Sequence, residues 1–264
     1  MAGTAAGGAE REALRTVGAL VGVLPGISSL YGGAVVVVAG RAVLTPGALG
    51  EAFAQDLAFL RYSGARPVVV HDAGAEPVRR APGEDEGTAL RTVAAGLVQR
   101  RLVGLVNAHG PLAVGITGED GHTLTRTASG DLVADPGVLR TLLDDGRVPV
   151  VAAVAHGEHG PHPADVVTAA RLLATHLSAR RLLLPSDAEP AGPAGATLLD
   201  MAVPHVLLRT LYGLDTPTPD EVGGAHTHAP RSSENPTDRW VAEEAREGAP
   251  TGPGVRKLPR VGRR

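Results

Sequence analysis

Three histidines, His156, His159 and His162, stand at a spacing that metal ligation can use, because neutral imidazole nitrogens are common ligands. Gly157, Gly160, Pro161 and Pro163 surround them and predict a loop, with no carboxylate fixed nearby to complete a set. No metal site is assigned to them, and still less to His226 and His228. A second chemistry lies in the glycines that follow apolar runs, where backbone can approach a ligand closely. Gly40-Arg41 follows Ala34–Ala39, His71-Asp72-Ala73-Gly74 follows Val68–Val70, and Thr117-Gly118-Glu119-Asp120-Gly121 follows Ala113–Ile116. Cysteine is absent, which excludes disulfides and thiolate chemistry. No Gly-x-x-x-x-Gly-Lys loop and no serine-hydrolase elbow occurs. Lysine occurs once, at Lys257, while arginine is abundant. An arginine-rich composition explains missing surface lysines, but it supplies no lysine to an active site.

The elements that must position these residues alternate. Ala9–Leu24 reads as a helix with Leu14, Val17, Val21 and Leu24 on one side, stopped by Pro25-Gly26. Ala34–Ala39 is a buried strand by its β-branched run. Thr45-Pro46 then opens a helix, Thr45 as N-cap, with Leu49, Phe53, Leu57 and Leu60 buried and Ser63-Gly64 at its end. Arg66–His71 is a strand, Ala75–Gly87 a polar loop, and Thr88–Val106 a helix with Leu90, Val93, Leu97 and Leu105 inward. Strands follow at Ala113–Ile116, Thr123–Thr127 and Leu132–Ala134, then a helix at Pro136–Asp144 and a buried strand at Arg147–Ala155. Ala164–Leu177 is a helix, Arg181–Leu184 a strand, and Pro185–Gly195 a linker. This order predicts an α/β three-layer sandwich with a mainly parallel sheet. Aromatics are only 2% of 264 residues, so the core must be Val, Leu, Ala and Gly, a composition that suits parallel strands covered on both faces.

The organisation expected is an N-terminal helical extension over 1–30, one domain over 31–214, and a disordered tail over 215–264 dominated by Pro, Gly, Ser and charge. A net charge of −3 without a basic, aromatic-laced stripe argues against nucleic acid and anionic membranes. Val17–Leu24 behind Arg11 and Arg15 faintly suggests a signal peptide, but it is short and Gly-interrupted; no run reads as long enough to span a bilayer. A soluble, cytoplasmic protein is expected.

Asn107-Ala108-His109-Gly110 through Gly118-Glu119-Asp120-Gly121 resembles the acetylglutamate kinases of the amino-acid-kinase superfamily, whose pattern reads N-x-H-G-x-x-A-V-G-[LI]-[ST]-G-x-D-G. AFAQDLAFLRYSGARPVVVH, RVPVVAAVA and VPHVLLRTLY add to the likeness, the last within a Thr197–Tyr212 segment that resembles the family's C-terminal helix. In the arginine-regulated members an N-terminal helix joins dimers into rings, and Ala9–Leu24 looks like it; packing on its own domain is an equal alternative. The resemblance implies that the nucleotide-binding half, which should lie between Leu184 and the last helix, is largely missing.

The family pairs its strands with residues that grip phosphate, since the migrating phosphoryl needs cations and close backbone. Here Val38 stands at the lysine of V-V-K-x-G-G, and Arg41 at its second glycine. His71-Asp72-Ala73-Gly74 stands for H-G-G-G, with Asp72 opposing phosphate, and Asp165 lies in the degenerate N-x-N-A-D-T-A-A equivalent. Ser186-Asp187 resembles the Thr-Asp that opens the nucleotide pocket. Gly40, His71, Gly74 and Asp165 are therefore weak phosphate or substrate-loop equivalents, and Ser186 and Asp187 weak nucleotide equivalents. Arg79 and Arg80 lie near where the family places a carboxylate-binding arginine, in no matching motif. No residue is assigned a catalytic role. The expectation is a catalytically impaired homologue, without cofactor, acting as an oligomerising or regulatory subunit or a binder of a small acidic metabolite. Its partners would be a second copy or a related kinase. The alternative is a working acetylglutamate kinase using ATP and Mg.

Overall fold

The computed structural model describes residues 3–188 and 196–214. The expected tail over 215–264 and most of the Pro185–Gly195 linker lie outside them. Helices α1 (Gly3–Gly22) and α2 (Leu24–Leu30) precede β1 (Ala34–Val38), α3 (Arg41–Leu44), α4 (Ala48–Tyr62) and β2 (Arg66–His71). Next come α5 (Glu86–Val93), α6 (Arg100–Asn107), β3 (Ala113–Thr117), β4 (Leu124–Arg126), β5 (Leu132–Ala134) and α7 (Gly137–Asp144). The chain continues through β6 (Val148–Ala152), β7 (Val154–Gly157), β8 (Gly160–Pro163), α8 (Val166–His176), β9 (Arg181–Pro185), β10 (Ala196–Leu199) and α9 (Val206–Tyr212).

Six strands form one parallel sheet in the order β10-β9-β1-β2-β6-β3. Its two faces divide the valine runs by parity, as a pleat requires. Val35, Val37, Val69, Val150 and Leu183 pack with Phe53, Leu57 and Leu60 of α4, while Val36, Val38, Val68, Val70, Val151 and Leu184 pack with Leu139 of α7 and Leu173 of α8. This is the α/β sandwich that the alternation predicts. A smaller mixed sheet, β5-β4-β7-β8, grows from the carboxyl edge, because Ala153 interrupts the expected Arg147–Ala155 strand and sends its second half away.

Several local expectations are corrected. The first helix ends at Gly22, close to Pro25 as expected, but a second helix follows at once, with Pro25 in its opening turn, where a missing N–H costs nothing. Thr45 closes α3 instead of capping α4, its hydroxyl donating to the Arg41 carbonyl at 2.9 Å, and Gly47 takes the N-cap. Residues 196–199 are the edge strand β10, not part of a helix, because they find the open flank of β9. Ala13–Leu30 averages a hydropathy of 1.5 over 18 residues and is long and apolar enough, by length and composition alone, to cross a membrane, contrary to the expectation that no run is. A signal sequence or a core helix meets the same criterion.

The stretch that carries the family pattern is scaffold. Asn107 Oδ1 accepts from the Leu112 and Ala113 amides at 2.9 and 2.6 Å, closing the turn from α6 into β3. Asp120 Oδ2 accepts from the Thr117 amide at 2.7 Å and so folds the Thr-Gly-Glu-Asp-Gly turn. A Cβ at Gly118 would stand 2.6 Å from the Val154 carbonyl oxygen, so only glycine lets the two sheets meet there.

Candidate functional site

All six strands of the large sheet end on the same edge, where open α/β sheets bind their ligands. A cleft of about 220 Å³ lies there, lined by Gly40 and Arg41 after β1, Asp72 and Gly74 after β2, and Val166 and Val167 in the first turn of α8. Pro185, Asp187 and Ala188 close it after β9. Gly40, Gly74 and Asp187, singled out from sequence, are thus brought together.

The remaining three are placed elsewhere. Asp165 is the N-cap of α8, its Oδ1 accepting from the Thr168 amide at 2.7 Å. Ser186 is exposed, and its amide donates to the Leu199 carbonyl at 2.8 Å, tying β9 to β10. His71 is fully buried beneath the edge. Its Nδ1 lies 2.8 Å from the Asp72 carbonyl, which makes Nδ1 the protonated nitrogen, and Nε2 has no hydrogen-bond partner among the described residues. Burial therefore pushes the imidazole pKa down, against a smaller upward pull from Asp72.

The glycines of the cleft serve packing. A Cβ on Gly40 would stand 3.0 Å from Met201 and 3.2 Å from Pro185, and one on Gly74 would stand 3.0 Å from Leu44. Gly74 also adopts φ +61°, held by its amide donating to Asp72 Oδ1 at 2.7 Å. The positions that should leave backbone bare for phosphate are covered by side chains. The one cation on the cleft is Arg41, which faces two carboxylates, Asp72 and Asp187. A triphosphate and its magnesium ion find neither a lysine nor a bare glycine loop, so the residues present do not fit that group. Arg79 and Arg80 are both exposed and line none of it.

The histidine trio is separated by strand geometry. His156 and His162 belong to the hairpin β7–β8, not to a loop, and the register pairs Ala155 with His162 and His156 with Pro161. Paired residues share a face and neighbours alternate, so His156 and His162 point to opposite faces. His156 stacks edge-on against His122, 4.3 Å between centroids, while His162 Nδ1 lies 3.2 Å from an Arg126 nitrogen. No cluster of three His, Asp or Glu able to hold a metal occurs among the described residues.

Sequence reasoning missed one polar pair. Asp56, wholly buried on α4, accepts at Oδ2 from the Leu207 amide at 3.1 Å, and its Oδ1 lies 2.8 Å from His205 Nδ1. The carboxylate thereby caps α9 from a different element, and His205 enters the helix with φ +57°. The available signal was a lone acid inside the apolar AFAQDLAFL stripe.

The geometry defines an α/β sandwich on a parallel sheet, with a cleft at its carboxyl edge lined by one arginine and two aspartates. The model of the amino acid kinase family matches residues 32–189, and the chain belongs to that family. Within it the chain is a shortened relative of the acetylglutamate kinases. It is 40% identical over 202 residues to the acetylglutamate kinase of Streptomyces coelicolor, covering 64% of this chain and 66% of that one. It is 40% identical over 201 residues to the acetylglutamate kinase of a Mycobacterium species, strain JLS, covering 64% and 69%. The chain thus spans about two thirds of the length of the curated relatives it matches. Among solved structures, N-acetylglutamate synthase from Neisseria gonorrhoeae, complexed with coenzyme A and N-acetyl-glutamate, superposes with a TM-score of 0.52 at 22% identity. That likeness covers 68% of this chain and 48% of the synthase, and it speaks for the fold alone.

Proposed function

We propose that this chain is an acetylglutamate kinase homologue that does not transfer phosphoryl groups, and that it works as an oligomerising or regulatory subunit in the cytoplasm or as a binder of a small acidic metabolite. One observation carries the reading. The cleft at the carboxyl edge holds no lysine, one arginine and two aspartates, and the only lysine of the chain is Lys257. Phosphoryl transfer works by aligned cations around the migrating group, and a cleft with surplus negative charge repels it. Coupled ADP release with N-acetylglutamate and Mg-ATP tests this directly. Release no faster than the enzyme-free blank is expected; turnover of about 1 per second or more, ordinary for kinases, overturns it.

A second reading, favoured by the position of Arg41 on the cleft, is a working kinase in which arginine replaces lysine and ATP and Mg are bound. Calorimetry with Mg-ATP on the wild type and on Arg41→Gln separates the two: binding lost with Arg41 supports the second reading, and binding that is absent or untouched by the change supports the first.

The partner we assign is a second copy of this chain. On α1 and α2, Leu14, Val17, Leu20, Val21 and Leu24 are each more than half exposed. Of the two equal expectations for this helix, packing on its own domain and joining another copy, the open stripe favours the second. Leu20 and Val23 also line an apolar groove of about 200 Å³ with Phe59, Leu208, Tyr212 and Leu214. A contiguous apolar surface of this kind marks an interface, and a twofold pair of identical stripes covers itself.

A further inference from the structure

A second cleft, of about 460 Å³, opens at the amino-terminal edge of the large sheet, where β1 and β2 begin. It lies at the opposite ends of the strands from the candidate site. Small-molecule sites typically enclose roughly 300–1,000 Å³, so its size suits a ligand.

Its chemistry is cationic. Arg66 opens β2, Arg140 projects from α7, and Arg180 comes from the turn between α8 and β9, so three separate elements deliver guanidinium groups to one concavity. The single carboxylate there is Asp144, already paired with Arg66. The cleft is positive on a chain whose net charge is −3. The guanidinium groups are also held in place. Arg140 Nη2 donates to the His176 carbonyl at 2.7 Å, and Arg180 Nη1 donates to the Ser29 carbonyl. Each bond takes one of five donors and fixes the direction of the others.

The backbone is fitted to this arrangement. A Cβ on Gly33 would stand 2.3 Å from Arg180 Cδ, so glycine lets the arginine stem lie across the start of β1. Ser178, on the rim, holds φ +49°, uncommon for a residue with a side chain. Capping of helix ends accounts for the bonds to Ser29 and His176. It does not account for three arginines from three elements meeting in one cleft.

We propose that this cleft binds a diphosphate group, free or carried on a nucleotide, through Arg66, Arg140 and Arg180. Guanidinium forks match phosphate oxygens in pairs, and two linked phosphates span more than one fork.

Calorimetric titration of the full chain with inorganic pyrophosphate, at low and at physiological salt, tests the assignment. The wild type is expected to bind, more weakly as salt screens the charges. Replacing both flanking arginines (R140Q/R180Q) should weaken binding by about tenfold or more, whereas the charge-matched loop variant R79Q/R80Q should not. No binding by the wild type, or equal losses in both variants, overturns the proposal. A parallel titration with ADP identifies the source: tighter binding than pyrophosphate assigns a nucleotide, and equal or weaker binding the free ion. Mass-spectrometric mapping of phenylglyoxal modification in the wild type keeps the test independent of variant folding. Pyrophosphate should slow reaction at Arg140 and Arg180 but not at Arg79; unslowed reaction at the first two sinks the assignment.

Discussion

Burial displaces the pKa values of two residues, Asp56 and His71, in opposite directions. Burial raises the pKa of Asp56 above its ordinary 3.8, outweighing the opposing pull of His205. A carboxyl whose folded pKa is raised stabilises the fold fully below the unfolded value, and that stability is lost as pH rises through the folded one. Asp56→Asn, which cannot ionise, should therefore gain on the wild type as pH climbs from about 3.8 toward neutrality, read as the difference in thermal midpoints. Asp56→Ala leaves the Leu207 amide without its acceptor and should cost about 2 kcal/mol in urea unfolding. His71 has the opposite sign. Its pKa is lowered from 6.5, so its contribution is present above that value and lost as pH falls below it. His71→Leu removes both the titration and the unpaired Nε2, and its acid melting curve should lose that component below pH 6.5. An unchanged pH profile in either variant would show that the group does not titrate on unfolding.

The element most altered by its context is the long helix from Glu86 to Asn107. The sequence places Leu90, Val93, Leu97 and Leu105 inward, yet Leu97 is 49% exposed and the buried set is Ala89, Ala94, Val98, Leu102 and Val106. Residues Ala94–Gln99 form a π-helical segment joining α5 to α6, and its wider turn moves the inward face by one position. Gln99 gains a buried role from that shift: its Nε2 donates to the Ile116 and Val150 carbonyls at 2.7 and 2.8 Å, beneath Gly115. Gln99→Leu should destabilise the protein by about 1–3 kcal/mol, because two sheet carbonyls lose a donor. At the other end, a Cβ on Gly87 would stand 1.7 Å from the Pro161 carbonyl oxygen. Gly87→Ala must therefore push α5 off the hairpin β7–β8, and a loss of about 1–3 kcal/mol is expected in denaturant titrations. Little or no change would mean that this contact yields freely.

At the scale of the molecule, the open α1–α2 stripe and the apolar groove beside it predict self-association. Sedimentation velocity of the pure protein should show a dimer or larger species across micromolar concentrations, and Leu20→Glu with Val21→Glu should return it to a monomer. A monomer in the wild type, alone and mixed with an intact acetylglutamate kinase, would remove the interaction reading. The exposure of Leu14, Val17 and Val21 also shows what periodicity can convey. It places these residues on one face but does not say what the face meets.

What the sequence determined was local and repetitive. Consecutive valines in β1, β2 and β6 bury both sides of a strand, so they dictate a covered parallel sheet before any contact is known. The Asn-x-His-Gly and Thr-Gly-Glu-Asp-Gly turns fold through their own side chains, Asn107 and Asp120, and were legible for that reason. The lysine-free composition was equally plain, as was the grouping of Gly40, Gly74 and Asp187 near strand ends. Only the tertiary structure decided the rest. It set His156 and His162 on opposite faces of a hairpin, covered Gly40 with Met201, carried Asp56 to the N-terminus of α9, and gathered Arg66, Arg140 and Arg180 into one cleft. The first follows from the hairpin's register, and each of the others joins residues far apart in the chain through the packing of layers, which no local spacing encodes.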